Sequence, residues 1–352
     1  MSDNNDVRLG IAGLGFGAVV HLPVWQNIDG VKVVAVADQN LVKAQELATK
    51  YHIDFAFESF QTLLQHPDLD AVSLALPPQK NAQACELALK RGLAVLTEKP
   101  LADSLKNARL LAKLAKGQTA LVDFEFSEGP AFQSLKKIIN QDTLGPIQHI
   151  NVTWLTNSYA QRQRIWCWKT DVKQLGGAVS LLGSHLFYLL EWLVGPMSKV
   201  GADLSSRATQ KFAPQGSHPA DDLAHLLLVN EQGLRVAMII GNASCGSSVH
   251  RWEVIGEKGT AVLENQSLDP LSGFSLWLSH GEAKRDLIYQ DAESLVSDGR
   301  IAALQNLAQL FIAAIKNKQV VKPDFTDGLR VQSIMEAAYR SGKKNHLISI
   351  EK

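Results

Sequence analysis

The chain has 352 residues, and its 35 Lys and Arg residues balance its 35 Asp and Glu residues, so the formal net charge is zero. This length predicts two domains with buried cores, and the neutral charge argues against a nucleic-acid or anionic-membrane surface. Its three cysteines, Cys85, Cys167 and Cys245, are far apart, which predicts reduced thiols and no metal site. A polar N-terminus, and no apolar run near the ~18–20 residues that cross a bilayer, predict a soluble, cytoplasmic protein.

The first 124 residues alternate short apolar runs with helix-like stretches, which predicts βαβ units and a doubly wound parallel sheet. The predicted strands are residues 8–12, 31–37, 71–76, 94–97 and 120–124. The predicted helices are residues 41–51, 82–90 and 103–116. Nearly continuous apolar strands are typical of sheets buried on both faces. We therefore predict an N-terminal α/β domain over residues 1–124.

Beyond residue 124 the apolar pattern becomes partly alternating, which favours antiparallel strands. The predicted strands are residues 147–155, 223–229, 234–240 and 252–255, with 262–264 and 274–278 as continuations. Residues 231–233 and 257–259 have the composition of hairpin turns. The predicted helices are residues 177–193, 301–316 and 327–340. We therefore predict a C-terminal α+β domain over residues 125–352, with a large, mainly antiparallel open sheet.

Three glycines, Gly13, Gly15 and Gly17, directly follow the first predicted strand. Backbone without side chains lets a pyrophosphate approach the N–H groups at the positive end of a helix. In the G-x-G-x-x-A fingerprint, Gly13 permits the tight turn, Gly15 the close approach, and Ala18 the packing of helix on sheet. We therefore predict a dinucleotide site over residues 13–18, which include Phe16.

Asp38 ends the second predicted strand, where the fingerprint requires an acid. Its carboxylate is suited to accept hydrogen bonds from the adenosine ribose hydroxyls and to repel a 2′-phosphate. The neighbours Gln39 and Asn40 supply no arginine that would bind that phosphate. The sequence therefore favours NAD over NADP.

Further motifs extend along the whole chain. They are His21-Leu22-Pro23, Glu98-Lys99-Pro100, Val122-Asp123-Phe124, Gly183-Ser184-His185 and Ile255-Gly256-Glu257-Lys258-Gly259. With them the chain resembles the glucose–fructose oxidoreductase, inositol dehydrogenase and rhizopine catabolism (Gfo/Idh/MocA) family. The resemblance implies a Rossmann domain, an open-sheet domain, and nicotinamide-dependent oxidation or reduction of sugars, cyclitols or related hydroxy compounds. It also implies a homodimer or homotetramer joined through the C-terminal sheet.

The resemblance also implies a set of cofactor contacts. They are Gly13, Gly15, Phe16, Gly17, Ala18, Asp38, Leu76, Pro77, Asn81, Glu98 and Lys99. Asn81 stands where many relatives have a histidine beside the nicotinamide.

Lys99 is the predicted general acid/base. Oxidation of a secondary alcohol requires a group that takes the hydroxyl proton, and the same group acts as an acid in reverse. Lys99 follows a predicted parallel strand, at the sheet edge where such folds bind ligands, and partial desolvation there lowers the pKa of a lysine. The lysine of the family's Glu-Lys-Pro motif has this role. The alternative is a surface lysine on a loop.

His185 and Tyr188 are the predicted catalytic residues of the second domain. The resemblance implies that His185 enters the substrate pocket and hydrogen-bonds the reacting hydroxyl, whereas a buried core histidine is the alternative. Relatives commonly carry Asp-x-Gly-x-His-x-x-Asp, and the two Asp positions are Leu181 and Tyr188 here. Helical spacing predicts that Leu181, His185 and Tyr188 share one face. The Tyr188 hydroxyl is one candidate replacement for the lost carboxylates.

The stretch 159–169 is rich in aromatic and cationic residues, and Tyr159, Arg164 and Trp168 are predicted substrate contacts. Aromatic faces stack on sugar rings, and arginine binds carboxylates or phosphates in bidentate fashion. If the stretch faces the pocket, an acidic or phosphorylated polyol becomes the favoured substrate. The alternative is an exposed loop whose tryptophans anchor it to the core.

Three functions are compatible with these features. The first is an NAD-dependent dehydrogenase or reductase for a sugar- or cyclitol-like alcohol, supported by Lys99 and His185. The second is a regulatory or sensing protein that keeps the dinucleotide fold without catalysis, which the missing carboxylates favour. The third is an NAD-dependent enzyme that cleaves a glycosidic bond or modifies a ring after transient oxidation.

Overall fold

The structure is a computed structural model, and it describes residues 6–246, 248–281, 284–292 and 298–351. Within these ranges the strands are β1 (Val7–Ala12), β2 (Val31–Ala37), β3 (Phe55–Phe57), β4 (Ala71–Leu74), β5 (Ala94–Thr97), β6 (Ala120–Val122), β7 (Ile147–Leu155), β8 (Met197–Ser205), β9 (Leu223–Asn230), β10 (Arg235–Gly241), β11 (Val249–Gly256), β12 (Thr260–Asn265), β13 (Phe274–Ser279), β14 (Asp286–Gln290) and β15 (Ile348–Ser349). The α-helices are α1 (Leu22–Trp25), α2 (Leu41–Lys50), α3 (Phe60–Leu63), α4 (Pro78–Lys90), α5 (Leu105–Leu114), α6 (Pro130–Asn140), α7 (Tyr159–Arg162), α8 (Ser184–Val194), α9 (Arg300–Asn317) and α10 (Phe325–Lys344).

The chain divides into two compact units. The first consists of Met1–Glu125 and Arg300–Leu329, and the second of Phe126–Gly299 and Arg330–Lys352. The sequence instead assigns residues 300–329 to the second domain. The physical reason for the difference is that α9 buries Leu307 and Phe311 in the same hydrophobic core as Trp25. The rings of Trp25 and Phe311 meet edge to face, 6.0 Å apart.

The first unit contains a six-stranded sheet in the order β3-β2-β1-β4-β5-β6, and its paired strands run parallel. The apolar side chains of β4 and β5 are buried, as expected for a sheet covered on both faces. The strand order reverses between β1 and β4. Open α/β sheets bind ligands at the carboxyl ends of the strands on either side of such a point.

Local sequence fixes where two of the helices on this sheet begin. The Asn40 side chain accepts the Lys43 N–H at 3.1 Å ahead of α2, and the Ser104 hydroxyl accepts the Asn107 N–H at 3.3 Å ahead of α5. Each cap satisfies a backbone donor that the helix leaves unpaired and contributes about 1 kcal/mol. The predicted doubly wound α/β fold is confirmed.

The second unit contains a nine-stranded sheet in the order β14-β13-β12-β11-β7-β10-β9-β8-β15. Its pairs are antiparallel except β7 with β10, which run parallel. Alternate side chains of β9 and β11 are buried, which is the pattern of a sheet with one covered face. The predicted mainly antiparallel open sheet is therefore confirmed.

The segment Val172–Val194 is long enough and apolar enough, by length and composition only, to cross a membrane. Its most apolar window has a mean hydropathy of 1.4. This differs from the sequence expectation that no such run exists. Backbone with positive φ at Leu175 (59°) and Gly177 (112°) interrupts the stretch before α8. In that window 72% of the residues are buried inside the protein, as in a core helix of a globular unit.

Candidate functional site

The glycine turn after β1 has the geometry that the sequence predicts. Gly13 has φ of +92°, and a Cβ there would lie 2.3 Å from the Ala75 carbonyl oxygen, so a side chain is excluded. Gly15 is exposed, and a Cβ on it would meet no heavy atom within 4 Å. A Cβ on Gly17 would lie 3.3 Å from the Ala75 Cβ, and Ala18 packs against the hydrophobic core. The turn therefore leaves open backbone at Gly15.

Asp38 is tied directly to this turn. Its Oδ2 accepts the Leu14 N–H at 2.9 Å, and its Oδ1 accepts the Asn40 N–H at 2.9 Å. Each carboxylate oxygen has a second acceptor position, so two ribose hydroxyls can still donate to Asp38. The open backbone at Gly15 and the acceptor at Asp38 together fit an adenine dinucleotide.

The segments on the other side of the turn come from β4 and α4. The Leu76 Cδ2 would lie 3.1 Å from a Cβ on Gly13, so Leu76 borders the turn. Pro77 precedes the first residue of α4. Phe16 lies in the turn itself, with the Arg300 guanidinium 4.7 Å from its ring centre. These predicted cofactor contacts thus surround the carboxyl ends of β1 and β4.

Asn81 lies in α4 and is 1% exposed. Its Nδ2 donates to the Thr97 Oγ1 at 2.6 Å and to the Glu98 carbonyl oxygen at 3.1 Å. The side chain therefore fixes the backbone at the end of β5, directly before Lys99. Its partners give Asn81 a structural role beside the predicted cofactor role.

Lys99 is half-buried and follows β5. Its positive charge acts to lower the pKa of both Glu98 and Glu125. The amine therefore lies close to carboxyl groups at the edge of the sheet where ligands bind.

Four titratable side chains form what we call the acid cluster: the buried His21, Asp123 and Glu125, and the half-buried Glu98. The His21 Nε2 lies 3.1 Å from the Glu98 Oε1 and 3.6 Å from the Asp123 Oδ2. The His21 Nδ1 lies 2.8 Å from the Ser73 Oγ. His21, Glu98 and Asp123 each offer a possible metal-ligand atom, all within 4.8 Å of one another. Hydrogen bonds among these side chains account for that spacing.

Burial and mutual charge set the protonation of the cluster. Burial raises the pKa of Asp123 well above its ordinary value, and the carboxyls of Glu125 and Glu98 raise it further. Burial also acts to raise the pKa of Glu98, but the hydrogen bond and charge of His21 hold it below its ordinary value. Burial, with the charge of Glu98, raises the pKa of Glu125 to about 7. The pKa of Asp123 is thus raised, that of Glu98 is lowered, and that of Glu125 lies close to neutral pH.

His185 and Tyr188 both lie in α8 of the second unit and are buried, at 5% and 7% exposure. The His185 ring lies 4.6 Å from the Phe126 ring and 6.2 Å from the Trp154 ring. A π-helical turn, Val179–Gly183, precedes α8 and contains Leu181. This wider turn departs from the regular spacing on which the shared face of Leu181, His185 and Tyr188 was predicted.

The stretch 159–169 lies on the surface of the second unit. Tyr159 is 66% exposed, and Arg164 is exposed with a backbone φ of +52°. Trp168 is half-buried, and the Lys169 amine lies 5.6 Å from the centre of the Trp168 ring. These three side chains are accessible to a ligand.

Sequence reasoning assigned no role to Asp123 or Glu125 and treated His21 only as part of a motif. The available signal was that Glu98 and Glu125 follow adjacent parallel strands, whose carboxyl ends meet at one edge of the sheet. No signal connects Arg300 with Phe16, because they are far apart in the chain.

A parallel sheet with a glycine turn after its first strand and an acid after its second defines a dinucleotide-binding protein. Residues 7–126 match the family model described as "Oxidoreductase family, NAD-binding Rossmann fold". Residues 136–350 match "Oxidoreductase family, C-terminal alpha/beta domain". The chain therefore belongs to the Gfo/Idh/MocA oxidoreductase family, as its motifs indicate, and its first unit is an NAD-binding Rossmann domain.

Similar proteins match over nearly the whole chain. An uncharacterized oxidoreductase of Synechocystis is 28% identical, covering 99% of this chain and 98% of its own. Inositol 2-dehydrogenase of Rhizobium meliloti is 25% identical, covering 98% and 99%. The structure of levoglucosan dehydrogenase with NADH and levoglucosan superimposes with a TM-score of 0.87 at 20% identity, covering 99% of this chain and 100% of that one. The last match establishes a common fold.

Proposed function

We propose that this protein is an NAD-dependent dehydrogenase or reductase that acts on a CH–OH group of a sugar-, cyclitol- or related hydroxy compound. The observation that carries the proposal is the position of Lys99, a half-buried lysine that follows the carboxyl end of β5 in an NAD-binding domain. Relatives named as inositol 2-dehydrogenase, D-apiose dehydrogenase and levoglucosan dehydrogenase support the substrate class.

In this proposal Lys99 is the general acid/base. Bound NAD supplies the hydride acceptor for oxidation of the alcohol carbon. The Lys99 amine takes the hydroxyl proton as the carbonyl forms, and the ammonium returns it in the opposite direction. Asn81 holds the Glu98 carbonyl, so the backbone that carries Lys99 is fixed. The glycine turn and Asp38 bind the pyrophosphate and the adenosine ribose.

We assign substrate binding in the second unit to His185, Tyr188 and the surface stretch. The exposed Tyr159 and Arg164 offer an aromatic face and a guanidinium, which suit a polyol that carries an acidic group. His185 is proposed to hydrogen-bond the reacting hydroxyl.

Substitution of Arg164 by Met should raise KM for acidic polyols more than for neutral ones. An equal effect on both would contradict the assignment of Arg164.

The direct test is a screen for NAD reduction across polyols, sugars and sugar acids, followed through the absorbance of reduced nicotinamide. Lys99→Met should lower turnover of any substrate found by at least about 100-fold, because general acid–base catalysis contributes 10²–10⁴-fold. Lys106→Met is the matched control, since Lys106 is an exposed lysine on α5. If NADH binds but no hydroxy compound is oxidised, the sensing function replaces the enzyme.

We also propose that the protein self-associates as a homodimer or homotetramer through the outer face of the nine-stranded sheet. Leu227, on the partly exposed face of β9, is 39% exposed, and Ile239 of the neighbouring β10 is half-buried. Covering such apolar side chains stabilises association. Analytical ultracentrifugation should give two or four chains per particle, and Leu227→Glu should reduce this number toward one. Leu268→Glu, at an 84% exposed position outside the sheet, is the control. A monomeric wild-type protein would refute the proposal.

A further inference from the structure

Lys99 has a carboxyl neighbour that is almost inaccessible to solvent. Glu125 is 5% exposed and lies shortly after β6, which pairs with β5, the strand that leads to Lys99. The charge of Lys99 favours ionisation of Glu125. Two adjacent strand ends therefore bring an amine and a buried carboxyl close together.

The charged and titratable groups around Glu125 come from several elements. They are Glu98 and Lys99 after β5, Asp123 after β6, His21 at the end of a second π-helical turn (Gly17–His21), and Arg300 at the start of α9. Lys99 and Arg300 favour the ionised form of Glu125, whereas Glu98 opposes it. Burial, which has the largest effect, and these charges together bring the pKa of Glu125 to about 7.

The other two carboxyls of the acid cluster interact with each other, and the charge of Lys99 also favours ionisation of Glu98. Glu98 interacts with His21 at 3.1 Å. Asp123 is 2% exposed and within hydrogen-bonding reach of both Glu98 and Glu125, and burial raises its pKa well above the ordinary value. Glu125 thus combines a position on the strand end next to that of Lys99, burial at 5% exposure, and a pKa close to neutral pH.

We propose that ionised Glu125 is the counter-charge of Lys99 and acts on catalysis as a positioning residue through that amine. The inference rests on the proposed function. When Lys99 takes a hydroxyl proton, the O–H bond breaks and an N–H bond forms on Nζ, while the C–H bond gives its hydride to the nicotinamide. The amine becomes an ammonium, which a neighbouring carboxylate stabilises in the transition state. Glu125 itself gains and loses no bond in this step.

The first test needs no substrate and uses the full-length protein. An amine-reactive acylating reagent is applied across a range of pH, and labelling of the peptide that contains Lys99 is measured by mass spectrometry. Glu125→Gln should move the midpoint of Lys99 labelling to lower pH by about one unit or more, because a nearby opposite charge favours the ammonium by about 1–3 pKa units. Glu125→Asp, which keeps the charge, should restore most of the wild-type midpoint. An unchanged midpoint in Glu125→Gln overturns the proposal.

The second test is the pH profile of NAD reduction. The wild-type kcat should rise through a limb near the pKa of Glu125, about 7, as that carboxyl ionises. Glu125→Gln should remove this limb and lower kcat by about 10- to 100-fold, with KM nearly unchanged. The matched control is Glu128→Gln, which removes a partly buried carboxyl from the same short helical segment, Glu125–Glu128, and should keep the limb. A limb retained in Glu125→Gln contradicts the proposal.

A further variant covers the case in which Glu125→Gln does not fold. Arg300 favours ionisation of Glu125, so Arg300→Gln should move the limb to higher pH, and an unmoved limb would count against Glu125. Failure of the proposed function has a different signature. If no hydroxy compound reduces NAD, the enzyme assignment fails, while the labelling experiment still decides whether Glu125 and Lys99 are paired.

Discussion

His250 provides a pH-dependent prediction for the stability of the second unit. It lies in β11, is 3% exposed, and stacks on Trp154 with ring centres 4.4 Å apart and planes 5° from parallel. The Trp252 Nε1 donates to the His250 Nε2 at 3.0 Å. That nitrogen must therefore carry a lone pair, and protonation would replace the hydrogen bond with two opposed N–H groups. We expect His250 to remain neutral in the folded protein.

The magnitude follows from the pKa of the imidazole. Burial lowers the pKa of His250 from its ordinary 6.5 to about 3, against a smaller backbone contribution from Pro270. The unfolded chain then binds a proton below pH 6.5 that the folded chain does not bind until about pH 3. The free energy of unfolding should therefore be lost as the pH falls through this window, by about 1.4 kcal/mol per pH unit. Between pH 6.5 and pH 5 the loss from this group is about 2 kcal/mol.

Urea titrations followed by tryptophan fluorescence at several pH values measure this dependence. In His250→Gln, the loss of unfolding free energy between pH 6.5 and pH 5 should be smaller than in wild type by about 2 kcal/mol. The amide oxygen of glutamine can still accept from Trp252. His346→Gln, which removes an exposed histidine from the same unit, should keep the wild-type slope. An identical slope in His250→Gln and wild type would refute the reasoning.

The remaining predictions concern the cofactor site. Gly13→Ala should destabilise the first unit by at least about 1–3 kcal/mol, because its φ is +92° and the Cβ would strike the Ala75 carbonyl; thermal unfolding measures this. The Cβ of Gly15→Ala would meet no atom, so this variant should unfold at the wild-type temperature yet bind NADH about tenfold more weakly in a fluorescence titration. An NADH affinity equal to that of wild type would contradict the assignment of Gly15 to the pyrophosphate site. Asp38→Ala should weaken NAD binding and reduce its preference over NADP; calorimetry with both cofactors checks this, and an unchanged ratio would remove Asp38 from cofactor selection.

Continuous apolar runs allowed most strands of the first unit to be predicted from the sequence. The predicted strands 31–37 and 94–97 have the observed bounds of β2 and β5, because strands buried on both faces are nearly continuous apolar runs. The short β3, Phe55–Phe57, was not predicted, because three residues carry too little pattern. The helical pattern of α9 shows that one face is buried but does not reveal in which core.

The residues of the candidate site could be predicted from the sequence only where a local motif identifies their function. The glycine turn and Asp38 are such motifs, and the NAD-binding assignment is confirmed. The adjacent strands before Glu98 and Glu125 were the available signal for the acid cluster, but the place of His21 in it could not be predicted, because His21 comes from a separate helical turn. Each member of the cluster acquires its protonation state from burial beside the others, which no local spacing encodes.

In the proposed reaction, Lys99 exchanges the proton of a substrate alcohol whose hydride goes to NAD. The most direct measurement is transfer of deuterium from the carbon-bound position of a labelled substrate to the nicotinamide, in wild type and in Lys99→Met, with NADH affinity measured alongside. We expect a labelled reduced cofactor from wild type, and a rate lower by at least about 100-fold in the variant at equal NADH affinity. Deuterium transfer at the wild-type rate in Lys99→Met would contradict this role of Lys99.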